Sequence, residues 1–133
     1  MSLQNAVLKS GATALTPTGG ADQTFTPDGV TVKNGVHLAD ANQADFRVRK
    51  NLMVSVKQPA LQSDGSYSKD RKAITLFAPK ILASGKTVLN LIRIEREVHP
   101  ESTAAEALEL NMLGGQILSD SDFASYWSAG SLA

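Results

Sequence analysis

Arg47, Arg49, Asn51, Met53, Ser55 and Lys57 occupy every second position of one stretch of this chain. Guanidinium and ammonium groups hold phosphates, while amides and hydroxyls hydrogen-bond the edges of exposed bases. Side chains alternate across a strand, so this spacing sets all six on one face. The intervening Phe46, Val48, Leu52, Val54 and Val56 make the other face apolar, with Lys50 the one break in the row. A sheet built on residues 45–58 would bury one side and offer the other to a polyanion.

Other chemistry has no set of residues to carry it. His37 and His99 have no ligand partners at metal-binding spacing. No nucleophile elbow or lysine dyad occurs among the serines. Gly19-Gly20 lacks the Lys-Ser/Thr of a phosphate loop and reads as a hairpin tip. With no cysteine, disulfides and thiolate metal sites are excluded. No enzyme, cofactor or metal is expected.

The 133 residues suit one domain with a core, and 42% hydrophobic residues is too many for a disordered chain. No apolar run reaches the roughly 20 residues of a membrane span. Met1 leads into polar residues, so no signal segment is expected, and a cytoplasmic origin fits the absence of cysteine. Zero net charge conceals segregation. Residues 45–98 carry eleven Lys/Arg against five Asp/Glu, whereas residues 99–133 carry five acids and no Lys or Arg. The change of sign coincides with a change of element type.

Residues 3–44 read as short strands and turns. Asn5 to Leu15 predicts a strand, Thr18-Gly19-Gly20-Ala21-Asp22 a hairpin tip, and Gln23 to Thr26 the return. Pro27-Asp28-Gly29 and Asn34-Gly35 are turn signals, followed by a strand over Val36 to Asp40. The strand from 45 stops at Pro59. A two-residue turn at Asp64-Gly65 would set Ser55 opposite Ile74 and mix the faces, so a longer or bulged connection is expected. A strand from Tyr67 to Ala78 then puts Ile74 and Leu76 on the core side and Lys69, Arg71, Ala73, Thr75 and Phe77 on the other.

After a loop over Pro79 to Lys86, a strand runs from Thr87 to Val98 with two open phases. Leu89, Leu91, Arg93, Glu95 and Glu97 share one side; Val88, Asn90, Ile92, Ile94 and Arg96 share the other. A helix begins near Pro100, with a capping box at Thr103-Ala104-Ala105-Glu106 and an apolar face of Ala105, Leu108, Met112 and Leu113. Ile117 and Leu118 extend that stripe past Gly114-Gly115. Ser119 to Asp122 caps a second, short helix, with Phe123, Tyr126 and Trp127 packing on one side and Gly130 stopping it. The plan is α+β in a single domain over residues 1–133: an N-terminal β-hairpin in 1–30, a five-stranded antiparallel sheet in 35–98, and two C-terminal helices in 100–129. Two short helices barely cover such a sheet, so a homodimer is expected.

Thr26-Pro27-Asp28-Gly29-Val30, Asn34-Gly35-Val36 and Val54-Ser55-Val56-Lys57-Gln58-Pro59 resemble, in letters and spacing, the coat proteins of single-stranded RNA bacteriophages, the Q-beta type in particular. The resemblance is close over residues 23–60 and lies in element order and length beyond. It implies the plan above as an intertwined dimer, with sheets joined edge to edge and each subunit's helices over its partner. Dimers would build a quasi-equivalent icosahedral shell, assembled in the bacterial host cytoplasm, whose inward sheet face packs genomic RNA. In studied members that face also grips one RNA hairpin and silences replicase translation. By this carry-over Ser55 matches a serine that helps hold a flipped adenine, and Lys57 a position basic in some members. Met53 stands where those members have threonine. Ala73 and Thr75 stand at a polar and a lysine position, and Asn90 at an acidic or amide one. Arg47, Arg49 and Arg71 would supply general phosphate binding; apart from the resemblance, Ser55, Thr75 and Asn51 or Asn90 are placed to hydrogen-bond unstacked bases. The loop over Pro79 to Lys86 would meet the symmetry axes, without the cysteines that cross-link Q-beta shells. The competing expectation is a small dimeric nucleic-acid-binding module that forms no shell; an enzyme is a distant third, with no visible site.

Overall fold

The structure, a computed structural model, describes residues 3–15 and 17–133, with only the backbone of Leu3. The chain forms two compact units. One is Gly20–Pro100; the other joins the N-terminal segment up to Gly19 with Glu101–Ala133.

The first unit is a five-stranded antiparallel meander in the order β1-β2-β3-β4-β5: Phe25–Pro27, Gly35–Asp40, Asn51–Lys57, Asp70–Ile81 and Thr87–Val98. Its register is set by two three-residue loops of one design. Gln62 N–H donates to Ser66 O (2.7 Å) and Gly65 N–H to Gln62 O (3.0 Å); Leu82 N–H donates to Lys86 O (2.8 Å) and Gly85 N–H to Leu82 O (2.9 Å). Each glycine has φ near +85°, the left-handed conformation that closes such a loop. The first loop puts Ser55 opposite Ala73, and the Leu61–Tyr67 bridge keeps the same register. The longer connection expected between these strands is therefore present. The second loop puts Phe77 opposite Leu91 and Thr75 opposite Arg93, which settles the phase of β5.

β3 is shorter than the strand expected over 45–58. Asp45 Oδ1 accepts from Arg47 N–H at 2.9 Å, and Val48 N–H donates to Asp45 O at 3.3 Å. This aspartate turn competes with extended backbone and folds residues 46–48 out of the ladder. Phe46 and Val48 thus leave the apolar row, and Phe46 is 79% exposed. Leu52, Val54 and Val56 keep it, opposite Leu76, Ile74 and Lys72.

In the second unit α1 spans Ala104–Ser119 and α2 spans Ala124–Ala129, joined by a 3-10 turn over Ser121–Phe123. Thr103 Oγ1 accepts from Glu106 N–H while Glu106 accepts from Thr103 N–H, the capping box expected there. Pro100 precedes the first turn. α1 continues through Gly114-Gly115, and α2 stops at Gly130. Trp127 Nε1 donates to Ile117 O at 3.0 Å, and its ring meets Tyr126 edge-on at 5.2 Å.

The N-terminal hairpin does not form among the described residues; residues 1, 2 and 16 of its expected span lie outside them. Residues 6–10 have no strand partner, and β1 pairs with β2 instead. Side chains of the helical segment take up the backbone groups of the N-terminal segment. Gln116 Oε1 accepts from Lys9 N–H at 2.7 Å and its Nε2 donates to Lys9 O at 3.0 Å, as a neighbouring strand would. Asp122 accepts from Val7 N–H, and Glu109 from Ser10 Oγ and Gly11 N–H. Both Gln116 and Asp122 are buried, and a buried polar group needs its partner.

Candidate nucleic-acid interface

Residues directly opposite across an antiparallel pair share a face. The register therefore builds the polar face of the sheet in rows: Lys57–Arg71–Glu97, Ser55–Ala73–Glu95, Met53–Thr75–Arg93 and Asn51–Phe77–Leu91. β2 extends them with Gly35 beside Ser55 and His37 beside Met53. The face is charged at the Arg71 end and apolar toward the β4–β5 loop, where Leu89 and Leu91 are over half exposed.

A concavity of about 460 Å³ opens on this face, lined by Lys33, Asn34, Ser55, Val56, Lys57, Arg71, Ala73, Arg93 and Glu95. Four cations surround it against one lining carboxylate. Asn34 has φ +56° and its carbonyl accepts from Val56 N–H at 2.9 Å, which brings the loop before β2 to the rim. That loop is pinned by Asp28, whose Oδ1 accepts from Val30 N–H (3.1 Å) and whose Oδ2 lies 2.7 Å from His37 Nδ1. The Val30 amide chiefly, with His37 beside it, holds the Asp28 carboxyl below the ordinary aspartate value.

Arg71 is held by carboxylates: its Nε lies 3.1 Å from Glu95 Oε1 and its Nη2 contacts Glu97 Oε1. Glu97 Oε2 also lies 4.0 Å from Lys69 Nζ. Arg93 Nε reaches Thr75 Oγ1 at 3.4 Å, a long hydrogen bond to a buried hydroxyl.

The structure brings together Asn51, Met53, Ser55, Lys57, Arg71, Ala73 and Thr75 of the expected site residues. Three others it removes. Arg47 pairs with Asp45, Nε at 3.2 Å and Nη2 at 3.1 Å, in the turn before β3. That bidentate bond raises the Arg47 pKa and lowers that of Asp45. Arg49 donates to the carbonyls of Gln43 (2.8 Å) and Ala44 (3.2 Å) and covers the Phe46 ring at 4.7 Å. Both arginines hold the 41–50 loop together. Asn90 stands opposite Ala78, on the apolar face with Ile92 and Ile94. Conversely, Lys33, Asn34, Arg93 and Glu95 join the site unforeseen. For β5 the signal was the three-residue loop length, which fixes Arg93 opposite Thr75.

No family model matches the chain, and no curated protein sequence matches it. Among solved structures, the virus-like particle of bacteriophage GQ-907 superposes with a TM-score of 0.94 at 37% identity, covering 99% of this chain and 100% of that one. The chain belongs to the coat proteins of single-stranded RNA bacteriophages. The virus-like particle of bacteriophage ESE058 matches at 15% identity and a TM-score of 0.66, over 84% of this chain and 87% of that one; that likeness speaks to the fold alone. The five-stranded antiparallel sheet and two C-terminal helices of this coat protein are those the family resemblance implied. It is a structural protein of the phage capsid.

Proposed function

We propose that this coat protein pairs through its β5 edge into an intertwined dimer, that dimers assemble into a closed icosahedral shell, and that the polar sheet face lines the interior and packages RNA. The full-length match to a particle-forming chain carries the assembly reading. The state of the isolated subunit supports the dimer. Ala39 is the one buried apolar residue among those described, while Ile74, Ile94, Leu91, Leu108 and Trp127 are each 43–61% exposed. A 133-residue fold normally encloses a substantial core, so this one completes its core against a second copy. β5 is a twelve-residue edge strand, and an edge that long and apolar requires pairing or cover. The partner's helices over the apolar sheet face supply the cover.

RNA contact rests on Lys33, Lys57, Arg71 and Arg93 around the concavity. General packaging fits better than readout of one hairpin: Met53 and Ala73 bring no hydroxyl beside Ser55, and Thr75 is buried. Phosphate contacts position nucleic acid without reading sequence. No catalytic role is assigned to any residue.

Purified protein examined by size exclusion and electron microscopy is expected to give closed particles containing nucleic acid. A small monodisperse monomer without RNA would refute this reading. Lys57→Gln with Arg93→Gln is expected to lower RNA content while dimers persist; unchanged RNA at matched salt would put the wrong face inside.

A further inference from the structure

We propose that Glu95 and Glu97 are built-in substitutes for RNA phosphate, holding Arg71 until nucleic acid displaces them and so setting how tightly, and with what salt dependence, the coat protein takes RNA. This rests on the reading that the polar face carries RNA.

The register makes the arrangement. Glu97 lies directly across from Arg71, and Glu95 across from Ala73, whose methyl leaves the diagonal open. Arg71 faces Lys57 on its other side, so repulsion from the like charge on β3 and attraction to the carboxylates on β5 both turn its guanidinium toward β5. Carboxylate and phosphate compete for the same N–H fork. Lys57 and Arg93, by contrast, form no ion pair among the described residues. The face thus holds cations that meet phosphate directly and others, Arg71 foremost and Lys69 more loosely, that must first exchange partners. The pairs keep side-chain exposures of 38–45%, and pairs so open are weak. A polyphosphate therefore displaces them; the carboxylates lower affinity without blocking the site. A short or isolated anion, which brings few phosphates at once, gains least from that exchange.

The test measures binding of RNA-stripped full-length protein to a labelled oligouridylate of about 20 nucleotides, by anisotropy, over salt from about 50 to 300 mM. E95Q/E97Q is expected to tighten binding about four-fold at about 0.15 M salt and to steepen the log K against log salt slope by about 0.7, the increment for one added contact to single-stranded RNA. In an R71Q background the gain is expected to shrink by that factor. An equal gain with and without Arg71 would mean bulk charge alone and overturn the inference. So would unchanged affinity and slope in E95Q/E97Q while Lys57→Gln and Arg93→Gln weaken binding. If those two lysine and arginine variants bind as well as the parent, the RNA-facing reading itself fails, whatever the carboxylates do.

Discussion

At the level of single residues, the spacing that first marks Arg47 and Arg49 as strand residues also occurs in a turn. Asp45 decides between the two by accepting the Arg47 amide and guanidinium together. A short polar side chain two residues upstream of a basic residue was thus the local signal, outweighed by the alternation that followed it. Ser55, Lys57 and Arg71 were legible because their strands keep a period of two between loops of countable length. Lys33 was not legible, since the Asp28–His37 pin that holds its loop joins residues on different segments. That pin has a pH signature. The Asp28 carboxyl is held below its ordinary value of 3.8, so its contribution to stability is complete above that value and is lost as pH falls through the lower, folded one. Acid is expected to loosen the loop carrying Lys33 and Asn34. Carboxyl NMR titration should show Asp28 ionising below a denatured-chain reference, and Asp28→Asn should flatten the acid side of the stability profile; an Asp28 midpoint at or above the reference would refute it.

At the level of elements, most of the architecture could be read from turn chemistry. Both three-residue loops place glycine at the left-handed position, and β5 runs from Thr87 to Val98 as expected. The N-terminal hairpin was not legible, because the partner of that segment is an amide 107 positions away, on a helix. Propensity cannot show that Gln116 will serve as a strand edge. Gly35 illustrates a close approach that sequence marks only as a turn. A Cβ there would collide with the backbone carbonyl of Val54, which has no freedom to retreat. Gly35→Ala is expected to cost about 1–3 kcal/mol and to disturb β2–β3 pairing next to Ser55. The urea midpoint and amide exchange at Val36 and Val56 would register it; a midpoint unchanged from the parent would show that the two strands can part without cost.

At the level of the whole molecule, zero net charge is the sum of a basic sheet segment, an acidic helical one and a slightly acidic N-terminal stretch. Part of that acidity works inside the fold, since Glu109 and Asp122 hold N-terminal backbone amides. The need for the proposed second copy can be argued from the ratio of helix to sheet. The near absence of buried apolar residues in one copy makes it much stronger than that ratio suggested. Stability is therefore expected to depend on protein concentration, as for obligate dimers, with the thermal midpoint rising measurably over a hundred-fold increase. A midpoint independent of concentration would mean that one chain closes its own core.

The twelve-residue edge of β5 also sets a clock. In the proposed dimer, pairing through that edge is second order, so the time a new chain spends with it bare would lengthen as its concentration falls. An open apolar edge recruits any passing strand, including those of unfinished chains. On that proposed pairing, the most hazardous moment for this protein is when it is scarcest: the first copies made would wait longest for a mate, and later ones would be rescued by abundance.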